Sequence, residues 1–372
     1  MTTMEQDNNE VLVERGASAG LLTLHRPQAL NALSLGMVRR LTQALLDFRD
    51  DASVALVAMR GSNKAGAPGT AERWFGHFCA GGDIRFFHDA ALAGDASLDD
   101  FFTEEYSLNH LIQNYPKPIV AFMDGVVMGG GMGLCQGIAR RIVTPKTKMA
   151  MPETKIGLFP DVGGGHFLSR CPGHVGEYLA LTGEQIGAEQ AMAFGLADVL
   201  IPVADQAALW QDLSVQNWPH AVAARQWLEA RLPLAASSAA PHPAMEHAFS
   251  QPSMLEAMQV LEQASDEWSV QTAQALRQRS PLMLHVTLAQ IRRARHMGLA
   301  DELRMERDMV WRCFNHRPVQ RSETVEGIRA LAVDKDHQPQ WQPARLEDVD
   351  AREVEAFFDS PWQADAHPLK HL

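Results

Sequence analysis

The chain is poor in cysteine and contains no long apolar segment. Its four cysteines are scattered and show none of the spacings typical of disulfide frameworks or zinc sites (Cys79, Cys135, Cys171 and Cys313). Cys79 and Cys135 stand among apolar residues, which predicts small core side chains. No apolar run approaches the roughly 20 residues that a membrane-spanning helix needs. We therefore expect a soluble protein of a reducing compartment, with no membrane as a partner.

Positive charge is also scarce. Thirty-three Lys and Arg residues stand against 45 Asp and Glu residues, a net charge of −12, which argues against nucleic acid as a partner. The first ten residues are polar and acidic, unlike a secretory signal or an arginine-rich transit peptide. The sequence predicts a cytoplasmic location. With 46% hydrophobic residues in a chain of 372, it can bury a sizeable core.

Several catalytic signatures are missing. The histidines form no HExxH or comparable ligand spacing, so no metal is implied. No Gly-x-Ser-x-Gly elbow is present, which argues against a serine-type thioesterase. Gly163-Gly164-Gly165 lacks the Lys-Ser or Lys-Thr that follows the glycines of a nucleotide-binding loop. We expect no resident cofactor.

Glycine, in contrast, is concentrated: six glycines lie between positions 125 and 137. The apolar segment 119–123 before them predicts a buried strand, and 128–141 predicts a helix that begins among glycines. The unpaired N–H groups at such a helix start could hold an anion or a developing oxyanion. Alternatively, glycines spaced by four residues could form a bare packing stripe (Gly129, Gly133 and Gly137). The run alone leaves both interpretations open.

A second glycine pair lies upstream, in Phe78-Cys-Ala-Gly81-Gly82-Asp83-Ile84, where Asp83 is suited to cap a helix. Two glycine-rich turns can each supply one N–H group to the same carbonyl oxygen. Acyl chemistry needs this geometry because negative charge develops on that oxygen in the transition state. The pair therefore favours the oxyanion interpretation over packing alone.

Four motifs together resemble the crotonase (enoyl-CoA hydratase/isomerase) superfamily. They are HRPQALNAL from His25, CAGGDI from Cys79, the glycine triplet from Gly129, and MPETKIGLFPDVGGG from Met151. The resemblance extends from about Val11 to Val203, and within the superfamily it is strongest to the 3-hydroxyisobutyryl-CoA hydrolases. It implies an α/β fold whose core is a spiral of ββα turns.

The order of elements agrees with this expectation, since strands alternating with helices predict parallel pairing. We expect residues 1–203 to form the spiral core that binds acyl-CoA and carries the catalytic groups. Residues 204–345 are predicted to form a helical C-terminal region, and residues 346–372 an acidic peripheral tail. The helical region contains three long amphipathic segments whose apolar faces need partners (255–279, 282–297 and 300–315).

The resemblance also implies functional residues. Gly82 and Gly130 take the places whose backbone N–H groups stabilise the thioester oxyanion. Glu153 stands where the family carries a catalytic glutamate, which could act as a base or as a nucleophile. From the residues alone, an ordinary cap or surface glutamate is the simpler interpretation of Glu153.

Two further acids belong to this set. In the hydrolases a carboxylate at the position of Asp161 is part of the active site, where it binds the substrate hydroxyl or orients the attacking water. An Asp before glycines is otherwise most often a turn or helix cap. The same resemblance places Glu105 at the acyl pocket, although a solvated helix face would explain it nearly as well.

One position departs from the hydratase pattern, and the difference concerns the type of reaction. Hydratases use two glutamates to add water to an enoyl thioester, and the first would fall at Gly133, which has no acid. A lone Glu153 therefore favours attack at the thioester carbonyl over addition across a C=C bond. The resemblance implies hydrolysis of a short-chain 3-hydroxyacyl-CoA, above all 3-hydroxyisobutyryl-CoA, as in valine breakdown. The alternatives are an enoyl-CoA hydratase or isomerase, and a silent acyl-CoA-binding scaffold. The resemblance implies a homo-oligomer, a trimer or hexamer as in related crotonases, but the longer C-terminal region could change the packing surface, which leaves the oligomeric state open.

Overall fold

The chain forms two units that alternate along the sequence. The computed structural model describes residues 10–66 and 70–372. The first unit comprises the described residues of Met1–Gly82, Leu111–Met149 and Ile186–Ser238, and the second comprises Asp83–His110, Ala150–Gln185 and Ala239–Leu372. These boundaries differ from the predicted division at 203 and 345. Residues 83–110 and 150–185 group with the C-terminal helices, whereas 204–238 group with the sheet.

The first unit is built on a six-stranded sheet. In chain order the strands are β1 (Val11–Arg15), β2 (Ala19–Leu24), β3 (Leu56–Gly61), β4 (Ile119–Met123), β5 (Val126–Met128), β6 (Arg140–Val143), β7 (Lys148–Ala150) and β8 (Val199–Leu200). The sheet order is β1-β2-β3-β4-β6-β8, and β5 pairs with β7. Only the β1–β2 pair is antiparallel, and the other pairs of the large sheet are parallel. The α/β class and the buried strand at 119–123 are confirmed.

Helices occupy most of the remaining chain. In chain order the α-helices of the described residues are α1 (Leu35–Asp50), α2 (Ala71–Trp74), α3 (Ile84–Ala93), α4 (Ser97–Gln113), α5 (Gly130–Gly133), α6 (Gly164–Leu168), α7 (Val175–Thr182), α8 (Ala188–Ala193), α9 (Gln206–Val215), α10 (Ala221–Arg231), α11 (Pro243–Phe249), α12 (Met254–Gln263), α13 (Glu267–Arg277), α14 (Pro281–Ala294), α15 (Leu299–Asn315), α16 (Glu323–Ile328) and α17 (Ala351–Ala356). Helix α1 begins directly after Ser34, a good helix-capping residue, whose hydroxyl accepts the N–H of Met37.

Helices α9 and α10 explain why residues 204–238 belong to the first unit. Trp210, Leu213 and Leu228 pack in one buried cluster with the sheet residues Leu56 and Phe122. Burying these large apolar side chains is worth about 1.5–3 kcal/mol each. The segment after 203 is therefore part of the sheet core and not of a separate helical region.

The glycine-rich segment differs from the prediction. The prediction of a helix over 128–141 is wrong, because α5 ends at Gly133 and β6 begins at Arg140. Glycine disfavours helix interiors by about 1 kcal/mol per residue, which explains the early end. The four-residue spacing therefore makes no helical stripe. Gly137 instead lies against α4, where a Cβ atom would meet the Cα atom of Gln113 at 2.7 Å.

The second unit is helical, and two predictions about it are wrong. Residues 255–279 form α12 and α13 instead of one helix, because the Asp266 side chain accepts the N–H of Ser269 and starts α13. Residues 346–372 are not peripheral, since Leu346, Phe357 and Leu369 are buried. Among the described residues, no helix is long and apolar enough to cross a bilayer.

Helix α16 lies unusually close to the 3-10 helix Glu153–Ile156. The Thr324 hydroxyl donates to the Gly157 carbonyl at 2.7 Å. A Cβ atom on Gly327 would stand 2.4 Å from the carbonyl carbon of Ile156. Backbone thus packs on backbone directly beside Glu153, and only glycine at position 327 permits it.

We expect Gly327→Ala to lower the free energy of unfolding by about 1–3 kcal/mol, because the added methyl group has nowhere to go. Gly187→Ala is the matched control, with a φ of −89° and no atom within 4 Å of its Cβ position. It should cost less than about 1 kcal/mol. Urea unfolding measures both, and equal losses would contradict the close packing at Gly327.

Candidate active site

The structure brings three predicted acids together in the second unit. Glu105 comes from α4, Glu153 from the start of its 3-10 helix, and Asp161 from the segment before α6. All three are buried, with 2%, 6% and 6% of their surface exposed. A solvated helix face for Glu105 and a surface position for Glu153 are therefore excluded.

Glu153 is held by short-range backbone geometry. Pro152 precedes the 3-10 helix, and Gly157 ends it in the left-handed conformation at φ +67°. A side chain at 157 would also collide with the carbonyl oxygen of Glu323, which would lie 2.3 Å from its Cβ atom. Among the described residues, Oε2 of Glu153 and Oε1 of Glu105 are buried without a hydrogen-bond partner. Such atoms are uncommon in folded proteins, so they suit contact with a ligand or a water.

Asp161 lies in a segment that we call the Asp161 loop, residues 160–165. The Tyr106 hydroxyl donates to Oδ2 of Asp161 at 2.9 Å. Val162 has a φ of +58°, a strained conformation for a β-branched residue. The backbone of Asp161 begins a turn, because its carbonyl accepts the N–H of Gly164 at 2.8 Å, and Gly163 is the N-cap of α6. The turn alternative is therefore right for the backbone, while the carboxyl group accepts the Tyr106 hydroxyl.

Burial sets the proton affinity of the cluster. Desolvation, with a smaller contribution from the Glu306 charge, raises the pKa of Asp161 to about 7, although the Tyr106 hydrogen bond opposes the shift. Desolvation and then Asp161 raise the pKa of Glu153 well above its usual range. The pKa of Glu105 is raised by the same two causes. With a pKa of about 7, Asp161 can gain and lose a proton near neutral pH.

Four residues of this cluster escaped the sequence prediction: Tyr106, Gln290, Glu302 and Glu306, all fully buried. A signal for two of them exists in α15. Glu302 and Glu306 are spaced i, i+4 and stand in phase with the buried Met309 and Cys313 on the same helix face. An acidic residue on an otherwise apolar helix face is uncommon and indicates a buried carboxyl group.

The two predicted oxyanion glycines lie together in the first unit. The N–H of Cys79 donates to Val126, and Met128 donates back to Cys79, so the two glycine-rich segments run side by side. A Cβ atom on Gly81 would stand 3.5 Å from the N atom of Gly130. Gly81 and Gly129 have φ values of +101° and +48°, which glycine adopts without strain.

Helix α5 has only four residues, so the expected anion-binding start of a longer helix is absent from this segment. The N–H groups themselves remain available, since in the described chain neither Gly82 nor Gly130 donates a hydrogen bond. Their oxyanion role stays a prediction. Within the described residues, no group of three or more His, Cys, Asp or Glu side chains has metal-binding geometry.

Comparisons with known proteins agree with the motifs. A family profile described as enoyl-CoA hydratase/isomerase matches residues 19–358. The chain is 38% identical over 360 residues to a probable 3-hydroxyisobutyryl-CoA hydrolase 3 of Arabidopsis thaliana, covering 94% of this chain and 92% of that protein. It is 36% identical over 373 residues to a mitochondrial 3-hydroxyisobutyryl-CoA hydrolase of Xenopus tropicalis, covering 98% and 92%.

Two solved structures are similar over nearly the whole chain. A carnitinyl-CoA dehydratase from Mycobacterium thermoresistibile has a TM-score of 0.79 and 34% identity, covering 95% of this chain and 97% of that one. An enoyl-CoA hydratase from Rhodobacter sphaeroides 2.4.1 has a TM-score of 0.79 and 35% identity, covering 95% and 98%. The similarity therefore includes the C-terminal helices that complete the acid cluster.

The raised pKa of Asp161 predicts a pH dependence of stability. The unfolded chain releases this proton near pH 3.9, whereas the folded chain keeps it to about pH 7. Between these values the folded state binds more protons, so this contribution is complete at low pH and is lost as pH rises through 7. Asn does not titrate, so the free energy of unfolding of Asp161→Asn should decrease less steeply with pH than that of the wild type. Between pH 5 and 7 the difference in slope should be up to about 1 kcal/mol per pH unit.

Urea unfolding at pH 5, 6 and 7 measures this slope. Asp359→Asn, at an exposed aspartate, is the control and should keep the wild-type slope. Identical slopes for all three proteins would show that Asp161 titrates alike in the folded and unfolded states.

Proposed function

Because the chain belongs to the enoyl-CoA hydratase/isomerase family, we propose that it hydrolyses 3-hydroxyisobutyryl-CoA to 3-hydroxyisobutyrate and CoA. The observation that carries the proposal is the identity of 35–38% to named 3-hydroxyisobutyryl-CoA hydrolases over almost the whole chain, including the helices around Asp161. The reaction would place the protein in valine breakdown. The vertebrate relatives are named mitochondrial, and the cytoplasmic location and the homo-oligomer stay predictions.

In the proposed reaction, Glu153 is the reacting carboxyl group. As a base it removes a proton from water, whose oxygen attacks the thioester carbonyl carbon. As a nucleophile it attacks that carbon itself, and water then cleaves the resulting mixed anhydride. In both routes the C–S bond breaks and the thiolate of CoA leaves and takes up a proton. The Gly82 and Gly130 N–H groups are assigned to the oxyanion.

Burial supports the assignment of Glu153. A base is most efficient when its pKa lies near the working pH, and desolvation raises the pKa of Glu153 in that direction. Asp161 and Glu105 are assigned to substrate binding beside it, with Asp161 receiving the 3-hydroxyl group or orienting the water.

Hydration of an enoyl-CoA is the second candidate, favoured by the names of the two similar solved structures. Gly133 lies at the place of the first hydratase glutamate and is a buried glycine without an acid. The two reactions differ in their products, because only hydrolysis releases a free thiol.

We expect the purified protein to release CoA from 3-hydroxyisobutyryl-CoA without added metal or nicotinamide cofactor. A thiol reagent measures the release, and loss of the enoyl absorbance of crotonyl-CoA measures hydration in parallel. Fast hydration without thiol release would replace the hydrolase proposal with the hydratase. Neither activity on either substrate would favour an acyl-CoA-binding scaffold.

Glu153→Gln should reduce turnover by about 10²–10⁴-fold, because the amide keeps the shape but is neither base nor nucleophile. Glu189→Gln makes the same chemical change at an exposed position on α8 and serves as the control. Acyl-CoA binding, measured by calorimetry, should survive in both variants. A Glu153→Gln enzyme with near-normal turnover would remove Glu153 from the reaction.

Asp161→Asn separates the two roles assigned to that residue. If Asp161 binds the 3-hydroxyl group, the substitution should reduce kcat/KM for 3-hydroxyisobutyryl-CoA by about 10–100-fold more than for isobutyryl-CoA, which lacks only that hydroxyl. Equal losses on both substrates would instead assign Asp161 to the attacking water.

A further inference from the structure

The Asp161 loop is attached to the C-terminal helices at three points of its backbone. The Gln290 side chain on α14 donates to the Pro160 carbonyl at 2.7 Å. Glu306 on α15 accepts the N–H of Gly163 at 2.8 Å and that of Gly165 at 3.1 Å. Gln290 also donates to Glu306 at 3.1 Å, which joins the two attachments. Asp161 thus lies between backbone groups that are held by hydrogen bonds, Pro160 before it and Gly163 after it.

Gly164 and Gly165 of the loop are closely packed. A Cβ atom on Gly165 would stand 2.3 Å from Oε1 of Glu302, and one on Gly164 would stand 3.1 Å from Cβ of Pro160. Glu302, Glu306 and Gln290 are fully buried, so their side chains have few alternative rotamers.

Glu306 and Glu302 differ in what surrounds their carboxyl groups. Three N–H donors reach Glu306, two on Oε1 and one on Oε2, and donors on both oxygens favour the carboxylate form. Burial raises the pKa of Glu302 to about 7 and that of Glu306 well above its usual range, and the Glu302 charge adds to the second shift. In the described chain, only Glu306 of the two accepts hydrogen bonds from the Asp161 loop.

We infer that Glu306 is a positioning residue of the reaction: together with Gln290 it clamps the Asp161 loop and fixes the place of the Asp161 carboxyl group. This inference rests on the proposed hydrolase function and gives the long C-terminal region a role in it. Glu306 acts through Asp161 in two ways, by holding the loop backbone and by placing a negative charge beside the Asp161 carboxyl group.

Several titratable groups surround Asp161 and Glu306. The titratable groups that interact electrostatically with Asp161 or Glu306 come from α4, the 3-10 helix and α15 (Glu105, Tyr106, Glu153, Glu302 and Cys313). Glu306 raises the pKa of Asp161, so removing its charge should lower that pKa. Tyr106 acts in the opposite direction, because its hydrogen bond favours the ionised Asp161.

Glu306→Gln tests the inference because it keeps the shape but sets an NH₂ group against at least one of the three donors. We expect kcat for CoA release to fall about 10²-fold, as expected for a catalytic group displaced by about 1 Å. The limb of the pH profile due to Asp161 should move to lower pH. Tyr106→Phe should move the same limb to higher pH.

Glu189→Gln makes the same chemical change at an exposed position on α8 and is the control. Because Glu189 does not contact the Asp161 loop, its amide should leave kcat within about threefold and the pH limb in place. Equal behaviour of the two Gln variants, or a Glu306→Gln enzyme with wild-type kcat and pH profile, would overturn the inference.

Hydrogen exchange of residues 160–165, followed by mass spectrometry, needs no activity and separates this inference from the proposed function. Gln290→Met and Glu306→Gln should each increase the exchange rate of the Gly163 and Gly165 amides at least tenfold. Gln290→Met provides the test on its own if Glu306→Gln fails to fold. Unchanged exchange in the folded variants would refute the clamp. Faster exchange in a protein that never releases CoA would keep the clamp and refute the hydrolase.

Discussion

Burial of acidic side chains without ion pairs is the constraint on which the second unit depends. In the described chain, none of the five buried acids of the cluster forms a salt bridge (Glu105, Glu153, Asp161, Glu302 and Glu306). An isolated charge taken out of water costs several kcal/mol unless hydrogen bonds replace its solvent. Two features offset this cost: N–H donors surround Glu306, and raised pKa values leave other groups protonated.

The same constraint links stability to chemistry. An acid that is costly to ionise is also one that holds a proton near neutral pH and exchanges it readily with a substrate or a water. Each element of the cluster contributes to this property: α4 supplies Glu105 and Tyr106, the 3-10 helix supplies Glu153, and α15 supplies the pair that borders the Asp161 loop. The long C-terminal region is therefore part of the acid cluster and not an appendage to it.

The sequence was informative where the signal is local. The strand at 119–123 and the Ser34 cap follow from apolar pattern and capping chemistry, and Glu153 and Asp161 stand in one short motif. The glycine run misled because glycine permits a turn as readily as it permits close helix packing. The contacts of Glu306 with Gly163 and Gly165 span more than 140 positions, and no local pattern encodes such a distance. The interleaving of the units was missed for the same reason.

This interleaving determines when the acid cluster can form during synthesis. The eight strands of the described residues have left the ribosome once residue 200 has emerged, but α15 begins only at Leu299. Until then the Asp161 loop lacks Glu306, and water still solvates the acids that will be buried. The nascent cluster is consequently ionised at neutral pH, and the maturing second unit takes up protons from solution as it closes. Protonation is thus a late step of folding, completed only when the last third of the chain has been made.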